Sequence, residues 1–272
     1  MMKSASADHM NLLEEAIRLV TSITREHEIT VRDCFIGFRY AITIVRGIHG
    51  DEAGLTYVDP LDAFLSAPLY ECPNHDTVSE LLLSTNMLGK ILGLSYINAV
   101  SQYMLWRLGY IDRFSLIEGN LAKVLRDLAI DVGCRKAVVV GGMGPIIRIL
   151  KEVCSDVVVV ERCPLLRVGD AVIDTLIHRA AKGCDLAIVT GAAIVNETLE
   201  SVLTAVKEAK LRIVVGPTAG IYPELLLNRG VDYVASTRVI DIENAVKRIK
   251  LGGGRREIAE FCRDYIVSPK RR

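Results

Sequence analysis

Five short runs rich in valine and isoleucine punctuate the second half of the chain: Ala137–Val140, Val157–Val160, Leu186–Val189, Ile213–Val215 and Tyr233–Ala235. Continuous apolar runs of this length suit strands buried on both faces, the condition of a parallel sheet. Amphipathic helical patterns lie between them. Leu199, Val202, Leu203 and Val206 recur at helical spacing behind Asn196, which is placed to cap them. Ile242, Ala245, Val246 and Ile249 follow Asp241 in the same way. Strand and helix alternating five times predict a doubly wound, Rossmann-like α/β domain with a parallel sheet.

The first half has a different rhythm. Leu12, Leu13, Ala16, Ile17, Val20 and Ile23 mark one helix. A β-rich stretch, Ile29–Val45, contains Gly37, and Gly54–Val58 reads as a short partner strand. Leu61–His75 is proline-bearing and irregular. Leu81–Leu108 is helical in pattern, with interruptions expected near Gly89 and Gly93, and Asn120–Val132 gives one more helix. This is an α+β arrangement. The spacing predicts an α+β domain over 1–133 and an α/β domain over 134–272, divided near Gly133–Lys136.

Composition excludes several function classes. Thirty-three basic residues face 33 acidic ones, so the chain is not built to clamp a polyanion, and nucleic acid is excluded as the main partner. A chain that is 50% hydrophobic has ample material for a core and is not disordered. The most apolar window, Met87–Trp106, is broken by Lys90, Ser95, Asn98, Ser101 and Gln102, so no membrane span is expected. Met1–Met10 lacks the apolar stretch of a secretory signal, and a cytoplasmic location is expected. The short basic tail Lys270–Arg272 reads as solvated. The large apolar share with few aromatics suggests pairing into a homo-oligomer. None of the seven cysteines forms a Cys-x-x-Cys pair and their spacing is irregular, which predicts reduced, partly buried thiols.

In a doubly wound sheet, ligands bind beyond the carboxyl ends of the strands. The first such loop is Gly141-Gly142-Met143-Gly144-Pro145, leading into a helix N-terminus that would present free amides. Gly142-x-Gly144 is only part of the dinucleotide fingerprint, because Ile147 stands at the third glycine position. A tight turn without a ligand also fits. Glu161 lies nineteen residues after Gly142, where an acid accepts from a ribose or simply faces solvent. Cys163 follows, the one thiol in a crevice loop. Thr190-Gly191 opens a long connection that offers Asn196 and Thr198. Gly216-Pro217 opens a stiff turn that runs to Pro223. No histidine or lysine falls in these loops, so general acid–base chemistry has few players unless the first half contributes Arg39, Tyr40, Tyr57, His75 or Asn98. Asn98 sits among apolar neighbours in a helix, where a buried amide must find a partner in backbone or ligand.

The order of these motifs resembles the family known as putative heavy-metal chelation, a domain of unknown function. The resemblance rests on Gly-Met-Gly-Pro at 142–145, Val-Val-Glu-Arg-Cys-Pro at 159–164, Thr-Gly at 190–191, Val-Asn-Glu-Thr-Leu at 195–199, and Gly-Pro-Thr at 216–218 with Pro223. Ile-Gly-Phe-Arg at 36–39 and Gly-Leu-Ser-Tyr-Ile-Asn-Ala at 93–99 are similar to the domain that precedes it. The resemblance implies an enolase-N-terminal-like first half, a Rossmann-like second half and a site between them. Residues matching its motifs are Asn98, Glu161, Thr190, Gly191, Asn196, Thr198, Gly216 and Pro217, with the helix start after Gly144. It brings no catalytic acid or base. It implies handling of a heavy-metal ion or its chelate, and with the shaped loops it leads us to expect a small molecule or metal chelate bound in the crevice; the Gly142–Glu161 spacing adds a nucleotide-like molecule as an alternative ligand. Two alternatives stand beside it: a nucleotide- or S-adenosylmethionine-dependent transferase, and a non-catalytic metal carrier or sensor using Cys163. Soft metals want converging thiolates and imidazoles, and with Cys163 alone in the crevice a chelate fits better than a bare ion.

Overall fold

The structure, a computed structural model, describes residues 10–59, 61–62 and 70–270. Most of the polar start, part of the proline-bearing stretch and the last two residues of the basic tail therefore lie outside the described residues. Helix α1 (Leu12–Glu26) begins with a capping box between Asn11 and Glu14 and buries Leu12, Leu13, Ala16, Val20 and Ile23. A three-stranded antiparallel meander follows: β1 (Thr30–Ile36), β2 (Tyr40–Gly47) and β3 (Gly50–Tyr57). The β-rich stretch is thus a hairpin that turns just after Ile36, at Gly37. Cys34 on β1 is disulfide-bonded to Cys72, which corrects the expectation of seven reduced thiols. Their separation of 38 residues carried no recognisable spacing signal.

Helices α2 (Val78–Leu82) and α3 (Met87–Trp106) come next. Helix α3 runs unbroken through Gly89 and Gly93, contrary to the expected interruptions. The glycines serve close approach instead: a Cβ on Gly93 would stand 3.2 Å from the Leu82 nitrogen. Almost every residue from Leu88 to Leu105 is buried, so α3 has no solvent face. It lies between the meander and a second, seven-stranded sheet. No helix among the described residues is long and apolar enough to cross a membrane.

The second sheet contains β4 (Phe114–Glu118), β5 (Lys136–Val140), β6 (Asp156–Val160), β7 (Leu186–Thr190), β8 (Leu211–Val215), β9 (Tyr233–Val239) and β10 (Cys262–Pro269). Its order is β4-β10-β9-β8-β7-β5-β6. The strands β5 to β9 are parallel, as the valine-rich runs predict, and β10 is antiparallel to both neighbours. The connecting helices are α4 (Leu121–Asp131), α5 (Gly144–Val153), α6 (Ile177–Ala180), α7 (Ala192–Val195), α8 (Leu199–Ala205), α9 (Pro223–Leu227) and α10 (Ile242–Lys250). One face of the sheet buries Ile188, Ile213 and Val139 against Leu125, Ala129, Ile146 and Leu150 of α4 and α5. The other buries Val138, Val189 and Val214 in a cluster shared with α1 and α3.

The boundary expected at 133/134 does not coincide with the division between the sheets. Both β4 and α4 precede it, yet β4 pairs with β10 and α4 covers the second sheet. Neither Phe114–Glu118 nor Cys262–Pro269 carries a valine-rich run: β4 is partly exposed at Leu116 and Glu118, and β10 carries Arg263 and Asp264 before its buried Tyr265–Val267.

Two features fix how the sheets meet. Gly54 on β3 lies against α3 so closely that a Cβ would stand 2.1 Å from the Ala99 nitrogen and 2.3 Å from the Ser95 oxygen. The buried Glu52 carboxylate sits between Arg107 and Arg238, joining β3 to β9. At the amino ends of the parallel strands, Asp185 accepts from the Arg135 and Lys136 amides and pairs with Lys210 at 2.8 Å. The Lys210 ammonium and those two amides hold its carboxyl well below the usual carboxylate range.

Gly54→Ala is expected to lower stability by about 3 kcal/mol or prevent folding, since backbone rather than a flexible side chain blocks the new methyl; urea unfolding measures this. For Asp185 the folded-state pKa is depressed, so its contribution is present above the ordinary value near 4 and is lost as pH falls toward the folded one. Asp185→Asn is therefore expected to cost about 1–3 kcal/mol at neutral pH and to flatten the loss of stability on acidification, read from unfolding midpoints between pH 7 and pH 3.

Candidate functional site

The parallel strands run in the order β6-β5-β7-β8-β9, so the chain reverses direction across the sheet between β5 and β7. Loops diverge at such a switch point and leave a crevice outside the carboxyl ends. Gly141 and Thr190 stand there. Gly141 has φ 108°, which favours glycine, and its missing Cβ leaves room for the Thr190 side chain at 2.9 Å. The Thr190 hydroxyl accepts from the Ala192 amide. Gly142 and Gly144 are exposed, and α5 starts at Gly144 with Pro145 in its first turn.

Glu161 is neither a ribose acceptor in waiting nor a solvated acid. It is 7% exposed, with one carboxylate oxygen accepting from the Gly142 amide at 2.6 Å and the other from the Cys163 amide at 2.7 Å. The carboxylate therefore fastens the β5 loop to the β6 loop. Arg167 locks the same turn from outside by donating to the backbone oxygens of Glu161 and Arg162.

Next door, β7 and β8 end in loops pressed backbone to backbone. A Cβ on Gly191 would stand 2.3 Å from the Ala219 nitrogen. Gly216 has φ 112° and Pro217 opens a helical turn to Ala219. The first half of the chain seats itself on this turn. Asn98, fully buried, donates to the Leu55 carbonyl at 2.8 Å and the Thr218 carbonyl at 3.2 Å. Gln102, one helical turn on, donates to the Gly220 carbonyl and the Tyr265 hydroxyl. The Tyr57 amide donates to the Thr218 hydroxyl at 2.9 Å. Asn98 thus joins β3 to the turn after β8, and its Oδ1 is buried with no partner among the described residues. Asn196 and Thr198 stand apart from this group, beyond α7. Asn196 ends α7 rather than capping α8, and Thr198 at the start of α8 makes no side-chain cap. The neighbouring Glu197 pairs with Lys90 of α3.

The segment after β3 meets the loop after β6, and residues outside the sequence candidates gather there. Asp59 and Asp62, three apart, both face the Arg162 guanidinium at 3.5 Å. Burial pushes the Asp62 carboxyl above its usual range, opposed by Arg162. Cys163 is 0% exposed and its thiol is pushed up by burial, with Asp59 acting in the same direction. It is therefore held as a thiol, not as the thiolate that binds soft metal. Tyr57, beside Arg39 and Asp59, has its hydroxyl pushed up by burial. A signal existed: Val58-Asp59-Pro60-Leu61-Asp62 places two acids directly after a strand. Of the other first-half candidates, Tyr40 is buried beside Arg255 and His75 pairs with Asp76. No group of three His, Cys, Asp or Glu among the described residues is arranged to hold a metal ion. The site therefore offers two carboxylates, a guanidinium, a phenol and an exposed glycine turn, a set suited to hydrogen-bonding a compact polar ligand.

A profile of the family described as putative heavy-metal chelation matches residues 126–268. An uncharacterized protein of Methanocaldococcus jannaschii is 34% identical over 169 residues, which is 61% of each chain; the present chain thus spans about three fifths of that relative's length. The crystal structure of a family protein of unknown function from Pyrococcus horikoshii superposes with a TM-score of 0.82 at 28% identity, covering 95% of this chain and 100% of that one. Another, from Desulfitobacterium hafniense, gives 0.72 at 17% identity over 93% and 99%, a likeness of fold alone.

Glu161→Gln tests the fastening of the loops. A glutamine keeps one acceptor but turns an amide group toward a backbone N–H that must also donate. We expect a loss of about 1.5–3 kcal/mol in urea unfolding, since two charge-assisted bonds are affected. A change under 0.5 kcal/mol would show that the carboxylate is not what fastens the loops.

Proposed function

Since the chain belongs to the putative heavy-metal chelation family, we propose that it binds a small polar molecule, in this reading a metal chelate, in the crevice where the end of β3 meets the β5 and β6 loops. One observation carries the reading: Asp59 and Asp62 from the first half converge on Arg162 from the second, beside the exposed Gly142–Gly144 turn. Charged groups buried to this degree are costly unless paired, and these three join the segment after β3 to the loop after β6, the edge strand beside β5. A chelate would meet the Arg162 guanidinium with its anionic groups and the carboxylates with its hydroxyls or its cation. The crevice residues would do the holding and orienting; the reading assigns no reaction.

The two alternatives are less well supported. A transferase using a nucleotide or S-adenosylmethionine leans on Glu161 as a ribose acceptor, yet both carboxylate oxygens already accept from backbone amides. A carrier using Cys163 needs a thiolate where burial favours the thiol. In keeping with the balanced charge, the proposed partner is this small ligand rather than a nucleic acid.

Thermal-shift measurements with iron(III) citrate, nickel–histidine, S-adenosylmethionine and ATP test the reading. At a hundredfold excess over the dissociation constant, binding adds roughly 2.7 kcal/mol, which raises the unfolding temperature by about 5 °C or more in a chain of this size. The expected outcome is such a rise with a chelate, abolished in Arg162→Ala and reduced in Asp62→Asn. Stabilisation by S-adenosylmethionine or ATP in place of the chelates would move the assignment to the transferase. No shift with any of the four would remove the support for a site of this kind.

A further inference from the structure

The amino ends of the parallel strands carry a second group of cysteines, far along the sheet from the crevice. Cys134 precedes β5 by two residues, Cys154 precedes β6 by two, and Cys184 stands two before β7. Side chains alternate faces along a strand, so register decides which of the three can meet. Lys136 is paired with Asp156, which puts Cys134 level with Cys154 on the extension of neighbouring strands. Ala137 is paired with Leu186, which puts Cys184 level with Arg135 and out of phase with Cys134. The packing agrees: Cys134 and Cys154 lie in the apolar cluster under α4 and α5, whereas Cys184 belongs to the cluster on the opposite face. A three-thiolate metal site is thereby ruled out by geometry, and a pair is left.

The two sulfur atoms of that pair are 2.7 Å apart, and both residues are buried. A disulfide bond needs about 2.05 Å, with Cα atoms about 4.4–6.8 Å apart. Adjacent strands, spaced about 4.8 Å, supply that separation without backbone movement. Cys134 is anchored by its amide on the Ala129 carbonyl and Cys154 by its amide on the Leu150 carbonyl, so the ends of α4 and α5 hold the sulfurs together.

We propose that Cys134 and Cys154 are an oxidation site that closes into an intramolecular cystine, joining the α4–β5 turn to the α5–β6 turn. The oxidant is a disulfide of the glutathione class. One cysteine thiolate attacks a sulfur of the oxidant, whose S–S bond breaks and releases one thiol. The second cysteine attacks the protein sulfur of the mixed disulfide and releases the second thiol. Two electrons and the two thiol protons pass from the cysteines to the oxidant, and the Cys134–Cys154 bond forms. Burial raises the pKa of both thiols in the packed state, so exchange proceeds through the open chain, during folding or local opening. Once formed, the bond is shielded from external thiols by the same burial.

The full-length protein, unfolded and refolded in a buffer of reduced and oxidised glutathione, tests this. Alkylation under denaturing conditions and peptide mapping should recover Cys134 linked to Cys154, leaving Cys163, Cys184 and Cys262 as the alkylated thiols. The oxidised protein should melt about 5 °C higher than protein in which this bond has been reduced, and in Cys154→Ser, which keeps the Cys34–Cys72 bond, the oxidant-dependent rise should be smaller by that amount. Full alkylation of Cys134 and Cys154 after refolding would overturn the proposal, as would a map joining either one to a different cysteine. The mapping of the unsubstituted protein decides the matter even if the serine variant fails to fold.

Discussion

Helix α3 has no solvent face, and the rest of the architecture follows from that. A helix surrounded on all sides must be roofed by something on each, and here the meander covers one side while the seven-stranded sheet and its helices cover the other. Complete burial also obliges each polar side chain on the helix to find a partner. Ser95 bonds to Thr43 on β2 and Tyr96 to Thr24 on α1. Asn98 and Gln102 reach the turn after β8. Of the polar residues that rule the segment out as a membrane span, Asn98 and Gln102 are therefore the ones that tie the helix to the second sheet, while Ser101 turns back on the Ile97 carbonyl. The position of the crevice follows from these bonds, because they set β3 against the turn that follows β8.

Much of this arrangement was legible beforehand. Every valine-rich run became a parallel strand, since burial on both faces leaves an unbroken apolar signature. The elements that were missed, β4 and β10, are the antiparallel ones at and next to the sheet edge, and their mixed sequences follow from partial exposure. Gly89 and Gly93 were misleading because glycine signals both a break and a close approach, and only the packed partner tells which. The Cys34–Cys72 bond joins a strand to an irregular segment, a contact that no local pattern encodes.

Legibility of the site divides in the same way. The glycine turns were visible because a left-handed backbone leaves a residue-level mark, as at Gly141 and Gly216. The role of Glu161 was not, because spacing gives its distance along the chain but not which amides it faces. Asp59 and Asp62 acquire meaning only when Arg162, a hundred residues away, is brought beside them. Asn98 was recognisable as an amide that needed partners. That its partners are carbonyls of β3 and of the turn after β8 depends on tertiary packing.

The Glu161 carboxylate has a consequence for whatever enters the crevice. A glycine turn at the start of a helix is a natural seat for an anion, and here the protein supplies an anion of its own. An incoming phosphate or carboxylate that takes the Gly142 amide must first turn Glu161 out, and its apparent affinity is lowered by that competition. Only a ligand with enough additional contacts overcomes the handicap, so solitary small anions are screened out. Displacement would also free the Cys163 amide on the other carboxylate oxygen, so that occupancy of one loop is felt in the next. The turn thus behaves as a seat already taken, in which recognition and loosening of the neighbouring loop are a single event.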